Sequence, residues 1–185
     1  MALEIERRFL VVGEAWRPLV RSRSWLRQGY LSRAGDDLTL RVRLRQLDPD
    51  GRSEAWLTLK APPPGVTAPP PGAAEALTRL EFEYPIPLAD GEALLALTER
   101  QVCKWRHDLE LPGGDWVLDV FAGANAPLVV AEVELAAADQ ELAVPVWCGR
   151  ELSGRQELSN AALALRPLAA WSEAERHALL VDATG

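Results

Sequence analysis

The sequence predicts an α+β fold: an eight-stranded antiparallel β-barrel, a tunnel with a charged interior, flanked by helices. Three observations predict it. Eight segments alternate apolar with charged residues at period two, the pattern of strands whose side chains divide between two faces. The charged parity is almost wholly arginine and carboxylate, whereas the wet face of an ordinary antiparallel sheet mixes Thr, Ser, Gln, Lys and Glu. Helical patterns lie between and after the strands and offer a cover for the apolar parity. Closing about eight strands leaves an interior that side chains fill or that holds one small ligand.

The first strand, Leu3 to Val12, sets Glu4, Glu6 and Arg8 against Leu3, Ile5 and Phe9, with Arg7 the exception. A short helix is expected between Ala15 and Arg23, where Pro18 fits only the first turn. The second strand runs from Trp25 to Arg33. The third, Asp37 to Leu47, sets Arg41, Arg43 and Arg45 against Leu40, Val42 and Leu44, and the fourth, Ser53 to Ala61, sets Thr58 and Lys60 against Leu57 and Leu59. The stretch APPPGVTAPPPGAA, residues 61–74, has six prolines and no period, so it reads as an exposed loop joining two strands. The fifth strand, Leu77 to Pro87, sets Arg79, Glu81 and Glu83 against Leu80, Phe82 and Tyr84, and Pro85 within it implies an edge or a bulge. Asp90 is the expected N-cap of EALLALTER. The sixth strand, Gln101 to Leu111, sets Lys104, Arg106 and Asp108 against Cys103, Trp105 and Leu109. Asp119 comes from the seventh, Asp115 to Ala122, and Glu132 and Glu134 from the eighth, Leu128 to Ala136. Ser159 caps NAALAL, and Ser172 with Glu175 forms a capping box for a last helix ending near Val181.

Composition narrows the function classes. A chain of 185 residues that is 48% hydrophobic and 25% charged is globular and long enough for one domain. Its apolar runs fall far short of the ~18 to 20 residues that span a bilayer, and the opening MALEIERRFLVV lacks the basic and apolar regions of a secretory signal. The expected location is therefore cytoplasmic. Two cysteines, Cys103 and Cys148, give neither a disulfide framework nor zinc spacing. The net charge of −7 argues against nucleic acid as a partner. Residues 1–60 nonetheless carry 12 basic against 8 acidic groups, so positive charge is concentrated early.

An interior of both signs needs a guest, because buried charges are costly without partners. The carboxylate pairs Glu4/Glu6, Glu81/Glu83 and Glu132/Glu134 offer hard oxygen ligands suited to Mg²⁺ or Mn²⁺. Arginine clamps phosphate oxygens through two donors and lysine as a point charge. The expected guest is an anionic oligophosphate with a divalent metal.

At Glu4-Ile5-Glu6-Arg7-Arg8-Phe9 the chain resembles the CYTH family, the triphosphate tunnel metalloenzymes, whose opening motif is E-x-E-x-K. QGYLS at 28–32, LRVRLR at 40–45, AWLTLK at 55–60, RLEFEYPIP at 79–87, VCKWRHDL at 102–109, WVLDVFAG at 116–123 and LVVAEVEL at 128–135 resemble short bacterial members in the same order. The resemblance implies a CYTH domain over residues 1–165, with 166–185 a C-terminal helical extension. It implies a triphosphate-containing small molecule as substrate, with Mg²⁺ or Mn²⁺. Glu4, Glu6, Glu132 and Glu134 would be the principal metal ligands, with Glu81, Glu83 and Asp119 as further ones. Arg8, Arg41, Arg43, Lys60, Arg79 and Arg106 would bind phosphate, and Lys104 with Tyr30 would handle the proton. A homodimer is the protein partner considered; no nucleic acid and no membrane are expected.

The implied reaction is metal-dependent hydrolysis of inorganic triphosphate by in-line attack of water. The competing readings are an adenylate cyclase or an organic triphosphatase acting on nucleoside or thiamine triphosphate, and a non-catalytic polyphosphate binder. Two departures from the family pattern bear on these. Arg8 stands where the motif has Lys, and Gln156, Glu157 and Leu158 precede Ser159 where basic and aromatic residues are common. His107, on the apolar parity, and His177 are read as structural or exposed. No P-loop and no H-E-x-x-H motif is present.

Overall fold

The computed structural model describes residues 2–32, 38–63 and 77–180, with side chains from 5–32, 38–63 and 79–180. The strands are β1 (Ala2–Val11), β2 (Val20–Tyr30), β3 (Thr39–Asp48), β4 (Ser53–Ala61), β5 (Leu77–Ile86), β6 (Gln101–Leu109), β7 (Asp115–Phe121), β8 (Val129–Glu134) and β9 (Cys148–Glu151). The helices are α1 (Leu88–Leu95), α2 (Asn160–Leu165) and α3 (Glu173–Leu180). Most of the Pro-rich loop and the last residues, Val181 included, lie outside the described residues.

All eight expected strands form, and their charged parities fall on one face. In order of hydrogen-bonded neighbours they run β5-β4-β3-β2-β6-β7-β8-β1-β9, a nine-stranded sheet where an eight-stranded barrel was expected. β5 pairs with β1 as well, from Ala2↔Glu81 to Glu6↔Leu77. That ladder takes only the first half of β1. The same edge farther on is taken by β9, at Phe9↔Glu151 and Val11↔Cys148, opposite the edge that pairs with β8. The ninth strand is four residues long with a glycine inside it, so local pattern does not announce it; pairing to β1 makes it a strand. Pro85 pairs with Trp56 on β4 and lies beyond the end of the β1 ladder, where its missing N–H costs nothing.

Helix starts follow capping chemistry in two of three cases. The Ser159 hydroxyl accepts from Ala162 N–H, and Ser172 and Glu175 bond reciprocally, Ser172 N–H to Glu175 Oε2 at 2.7 Å and Glu175 N–H to Ser172 Oγ at 3.2 Å. α1 instead begins at Leu88 after Pro87, and Asp90 stands in its first turn, so the expected Asp90 cap is corrected. An acidic side chain there still favours the helix dipole. The Ala15–Arg23 helix shrinks to a 3₁₀ turn, Arg17–Leu19, with Pro18 at its start, because β2 begins at Val20 and pairs with Leu109.

The helices do not all cover the apolar face. α1 does so, over Val42, Leu44 and Ala55, with Leu95 buried among them. Its close approach needs Gly29 and Gly91: a Cβ on Gly91 would sit 2.6 Å from that of Ala55, and one on Gly29 would sit 2.8 Å from Leu95 Cδ1. Ile5, Phe9, Trp116, Leu118, Ala131 and Val133 pack with Trp16, Leu135 and Trp147 into a second core. The third core lies on the charged face, at one end. There Leu10, Tyr30, Val102, Phe121 and Val130 meet Leu158, Leu163, Leu168, Trp171 and Leu179. α2 and its flanks thus plug that end against β2 and β6. Asn125 fastens them, donating to Leu163 O at 3.3 Å and accepting from Leu168 N–H at 2.9 Å.

Candidate functional site

Next to this plug the charged face is densely ionic. Arg106 on β6 reaches Asp119 with Nε at 2.8 Å and Nη2 at 2.7 Å, and Glu132 with Nη2 at 2.8 Å. Lys104, fully buried, donates to Asp119 Oδ2 at 2.5 Å and to Asn160 Oδ1, on α2, at 3.0 Å. Arg8, also buried, donates from Nε to Glu132 at 3.1 Å and from Nη2 to the Leu158 carbonyl at 3.1 Å, while Ser153 Oγ accepts its backbone N–H. Cross-strand register explains the contacts: Arg8 is opposite Glu132, and Arg106 opposite Asp119.

A second group lies on β3, β4 and β5. Glu83 accepts from Arg43 at 2.8 and 2.9 Å, from Thr58 at 2.9 Å and from Arg41 at 3.4 Å. Glu81 pairs with Arg41 at 3.5 Å and Lys60 at 3.4 Å. Arg79 stands half-buried on β5, opposite the backbone of Glu4, whose side chain lies outside the described residues. Arg45 reaches Asp108 at 3.4 Å near the other end of the same face.

Burial and like charge shape the acid–base properties. Burial pulls the Lys104 ammonium down to about 8 despite the opposing pull of Asp119. Burial alone would raise the Asp119 carboxyl; Arg106 and Lys104 overcome it and hold the group well below its ordinary value. Glu132 is likewise lowered against burial and the repulsion of Asp119, by Lys104, Arg106 and Arg8. Burial and then Arg41 bring Arg43 down to about 10, with Arg106 adding to it, so the two cation groups feel each other. Tyr30 is pushed up to about 12, chiefly by burial. At neutral pH its hydroxyl stays protonated and is not a base.

Most of the expected residues, though not Glu4, Glu6, Glu134, Arg79 or Tyr30, are therefore brought together in two ionic groups. Arg8, Lys104, Arg106, Asp119 and Glu132 form one; Arg41, Arg43, Lys60, Glu81 and Glu83 form the other. Both oxygens of Asp119 are taken by cations, and Glu81 and Glu83 serve the arginines and lysine of β3 and β4, apart from the carboxylates of β1 and β8. Glu6 and Glu134 face each other in the β1–β8 ladder, and Asp115 faces Glu134 from β7. Among the described residues no three Asp, Glu, His or Cys side chains are gathered closely enough to hold a metal ion by themselves. Tyr30 belongs to the plug core, while the Lys104 ammonium donates to Asp119 and Asn160. Sequence reasoning missed Asn160, which reaches the site through α2 docking that no local pattern reveals. His107 lies on the apolar face, edge-on to Trp16 at 5.1 Å between ring centroids.

A family model described as the CYTH domain matches residues 2–163. The chain belongs to the CYTH domain family. An inorganic triphosphatase of Acetivibrio thermocellus is 33% identical over 169 residues, spanning 90% of this chain and 96% of that protein. One from Nitrosomonas europaea is 36% identical over 170 residues, covering 88% and 97% respectively. The crystal structure of an inorganic triphosphatase superposes with a TM-score of 0.57 at 36% identity, covering 89% of this chain and 96% of that one. A Pyrococcus horikoshii protein of 20% identity, TM-score 0.51, shares the CYTH fold over 72% of this chain and 78% of its own. Among the described residues no helix is long and apolar enough to cross a membrane.

Proposed function

We propose that this CYTH protein hydrolyses inorganic triphosphate with the help of a divalent cation, and that the sheet, joined by the β1–β5 ladder, folds its charged face around the substrate as a tunnel. The observation that carries the reading is a pair of buried donors. Arg41 Nε and Arg43 Nε have no hydrogen-bond partner, although their Nη2 atoms are held by Glu83. Buried N–H groups left unmatched cost about 1–3 kcal/mol each, and an oligophosphate supplies acceptors in the right place. Lys60, Arg79 and Arg106 extend the positive wall on either side. Arg8 is spoken for by Glu132 and the Leu158 carbonyl, so it braces the floor of the site and fixes Glu132.

The donor set fits Mg²⁺ or Mn²⁺. Glu6 and Glu134 face each other in the β1–β8 ladder and so bring two hard carboxylate ligands to one place. Magnesium is held by one or two carboxylates together with water and phosphate oxygens, not by an all-protein cage. Glu6 and Glu134, with Glu132 beside them and Glu4 on the same parity, would hold the ion; when bound it neutralises and polarises the phosphate chain. The protein's own work is to bind and orient. Arg41, Arg43 and Arg106 stabilise charge as it spreads over the transferred group, and the plug excludes water from one end of the site. Lys104, held by Asp119 and Asn160, is placed to keep a proton near that charge.

The names of the two curated relatives favour inorganic triphosphate over ATP or thiamine triphosphate. Phosphate release from all three, with Mg²⁺, with Mn²⁺ and with chelator, tests the proposal. Release from inorganic triphosphate that exceeds the other two at least tenfold and stops with chelator is expected. Cyclic AMP and pyrophosphate formed from ATP, or tight triphosphate binding without turnover under either metal, would replace it.

A further inference from the structure

One buried acceptor on the charged face is unmatched. Gln28, on β2, is 1% exposed, and its Oε1 has no hydrogen-bond partner. It shares its face with Lys104 and Tyr30 and lies directly opposite Arg43 in the β2–β3 ladder, with Val102 opposite on β6. The other unmatched buried atoms on this face among the described residues are Arg41 Nε and Arg43 Nε, both donors, on the adjoining strand. Two donors without an acceptor therefore stand beside one acceptor without a donor. Phosphate answers the first need and cannot answer the second, since a carbonyl oxygen repels a phosphate oxygen. Water answers it. The nearby carboxylates are less suited to that task, because Asp119, Glu132 and Glu83 are each already gripped by two or more donors.

We infer that Gln28 orients the attacking water: Oε1 accepts a hydrogen from it while Arg41 and Arg43 hold the terminal phosphate alongside. The inference rests on the triphosphatase reading and deepens it. The water oxygen bonds to the terminal phosphorus, and the bridging P–O bond breaks. Pyrophosphate leaves with that bond's electron pair, and both water hydrogens pass to the released phosphate, which returns one to solvent. A neutral amide aims the water without taking its proton, as a glutamine does in GTP hydrolysis. It also leaves the charge of the site unchanged, which a carboxylate at position 28 would not.

Gln28→Met keeps length and volume but removes the acceptor; Gln28→Glu keeps an acceptor. Steady-state kinetics with inorganic triphosphate should show kcat reduced about 100-fold in Gln28→Met with KM within threefold of wild type, and at least tenfold more turnover in Gln28→Glu. Calorimetric titration with an imido-bridged, non-hydrolysable triphosphate should give the same Kd for wild type and Gln28→Met. A Gln28→Met enzyme with wild-type kcat, or with wild-type kcat and a raised KM, overturns the inference and leaves the triphosphatase reading intact. A wild-type protein that releases no phosphate from triphosphate overturns both. Should Gln28→Met not fold, Gln28→Leu lacks the acceptor too and is held to the same kcat and KM criteria.

Discussion

Arg106 joins the two buried carboxylates beside the plug: one guanidinium binds both Asp119 and Glu132. Replacing it leaves two carboxylates buried with fewer partners, and breaking such a pair from one side costs about 3–5 kcal/mol. Arg106→Ala is expected to lower the chemical-denaturation free energy by that amount, whereas Arg17→Ala, which loses an exposed pair with Glu14 and a stack over Trp16, should change it far less. Glu6→Gln keeps the size of the side chain where Glu6 faces Glu134 in the β1–β8 ladder, so the variant should stay folded while metal-dependent turnover falls at least 100-fold. Unchanged turnover would remove Glu6 from the metal site. Arg43→Ala should raise the KM for triphosphate about 10- to 100-fold, as expected for a charge-assisted hydrogen bond worth about 1.5–3 kcal/mol.

Among the elements, α1 gives the sharpest test of packing. Its Gly91 lies against Ala55 and Leu44, and Ala55 Cβ cannot swing away. Gly91→Ala gains helix propensity of about 1 kcal/mol but forces α1 off β3 and β4, so a net loss of about 1–3 kcal/mol is expected by thermal unfolding. A stabilised variant would show that the helix is loosely seated. The alternation of Arg41, Arg43 and Arg45 with Val42 and Leu44 was legible in the sequence because strand parity is local. So were the Ser159 cap and the Ser172–Glu175 box. β9 was not legible, since Cys148–Glu151 becomes a strand only when β1 offers an edge beyond β5. Nor was the plug: Leu163 reads as part of an ordinary short apolar helix, NAALAL, and nothing local says that the face it meets is the charged one. For the site, strand parity found the two ionic groups but not the pairing within them. Register decides that Arg106 meets Asp119 and that Glu6 meets Glu134, and register belongs to a pair of strands, not to the pattern of either one.

The whole molecule stores charge interactions that depend on pH in a calculable direction. Asp119, Glu132 and Glu151 titrate below their ordinary values of 3.8 for Asp and 4.5 for Glu, held by Arg106 and Lys104, by Lys104, Arg106 and Arg8, and by Arg7. Groups whose folded pKa is depressed add stability above the unfolded pKa and lose it as pH falls through the folded one. The thermal midpoint should therefore decline once pH drops below about 4.5 and continue to fall toward pH 3; a flat profile would mean that these pairs contribute nothing. Lys104, lowered to about 8, acts oppositely to a stabilised lysine: the folded state binds fewer protons than the unfolded between about 8 and its ordinary 10.5, so its own contribution makes stability rise with pH there. At this scale the fold presents one ionic face, plugged by α2 at one end, with unmatched donors on β3 and opposed carboxylates on β1 and β8. The most direct measurement is a crystal structure with inorganic triphosphate and Mn²⁺, using anomalous scattering to locate the metal. Manganese beside Glu6 and Glu134, with phosphate oxygens on Arg41 Nε and Arg43 Nε, is the predicted result. Manganese and phosphate bound elsewhere, on the apolar face or the outer loops, with the charged face still closed on its own ion pairs, would contradict it.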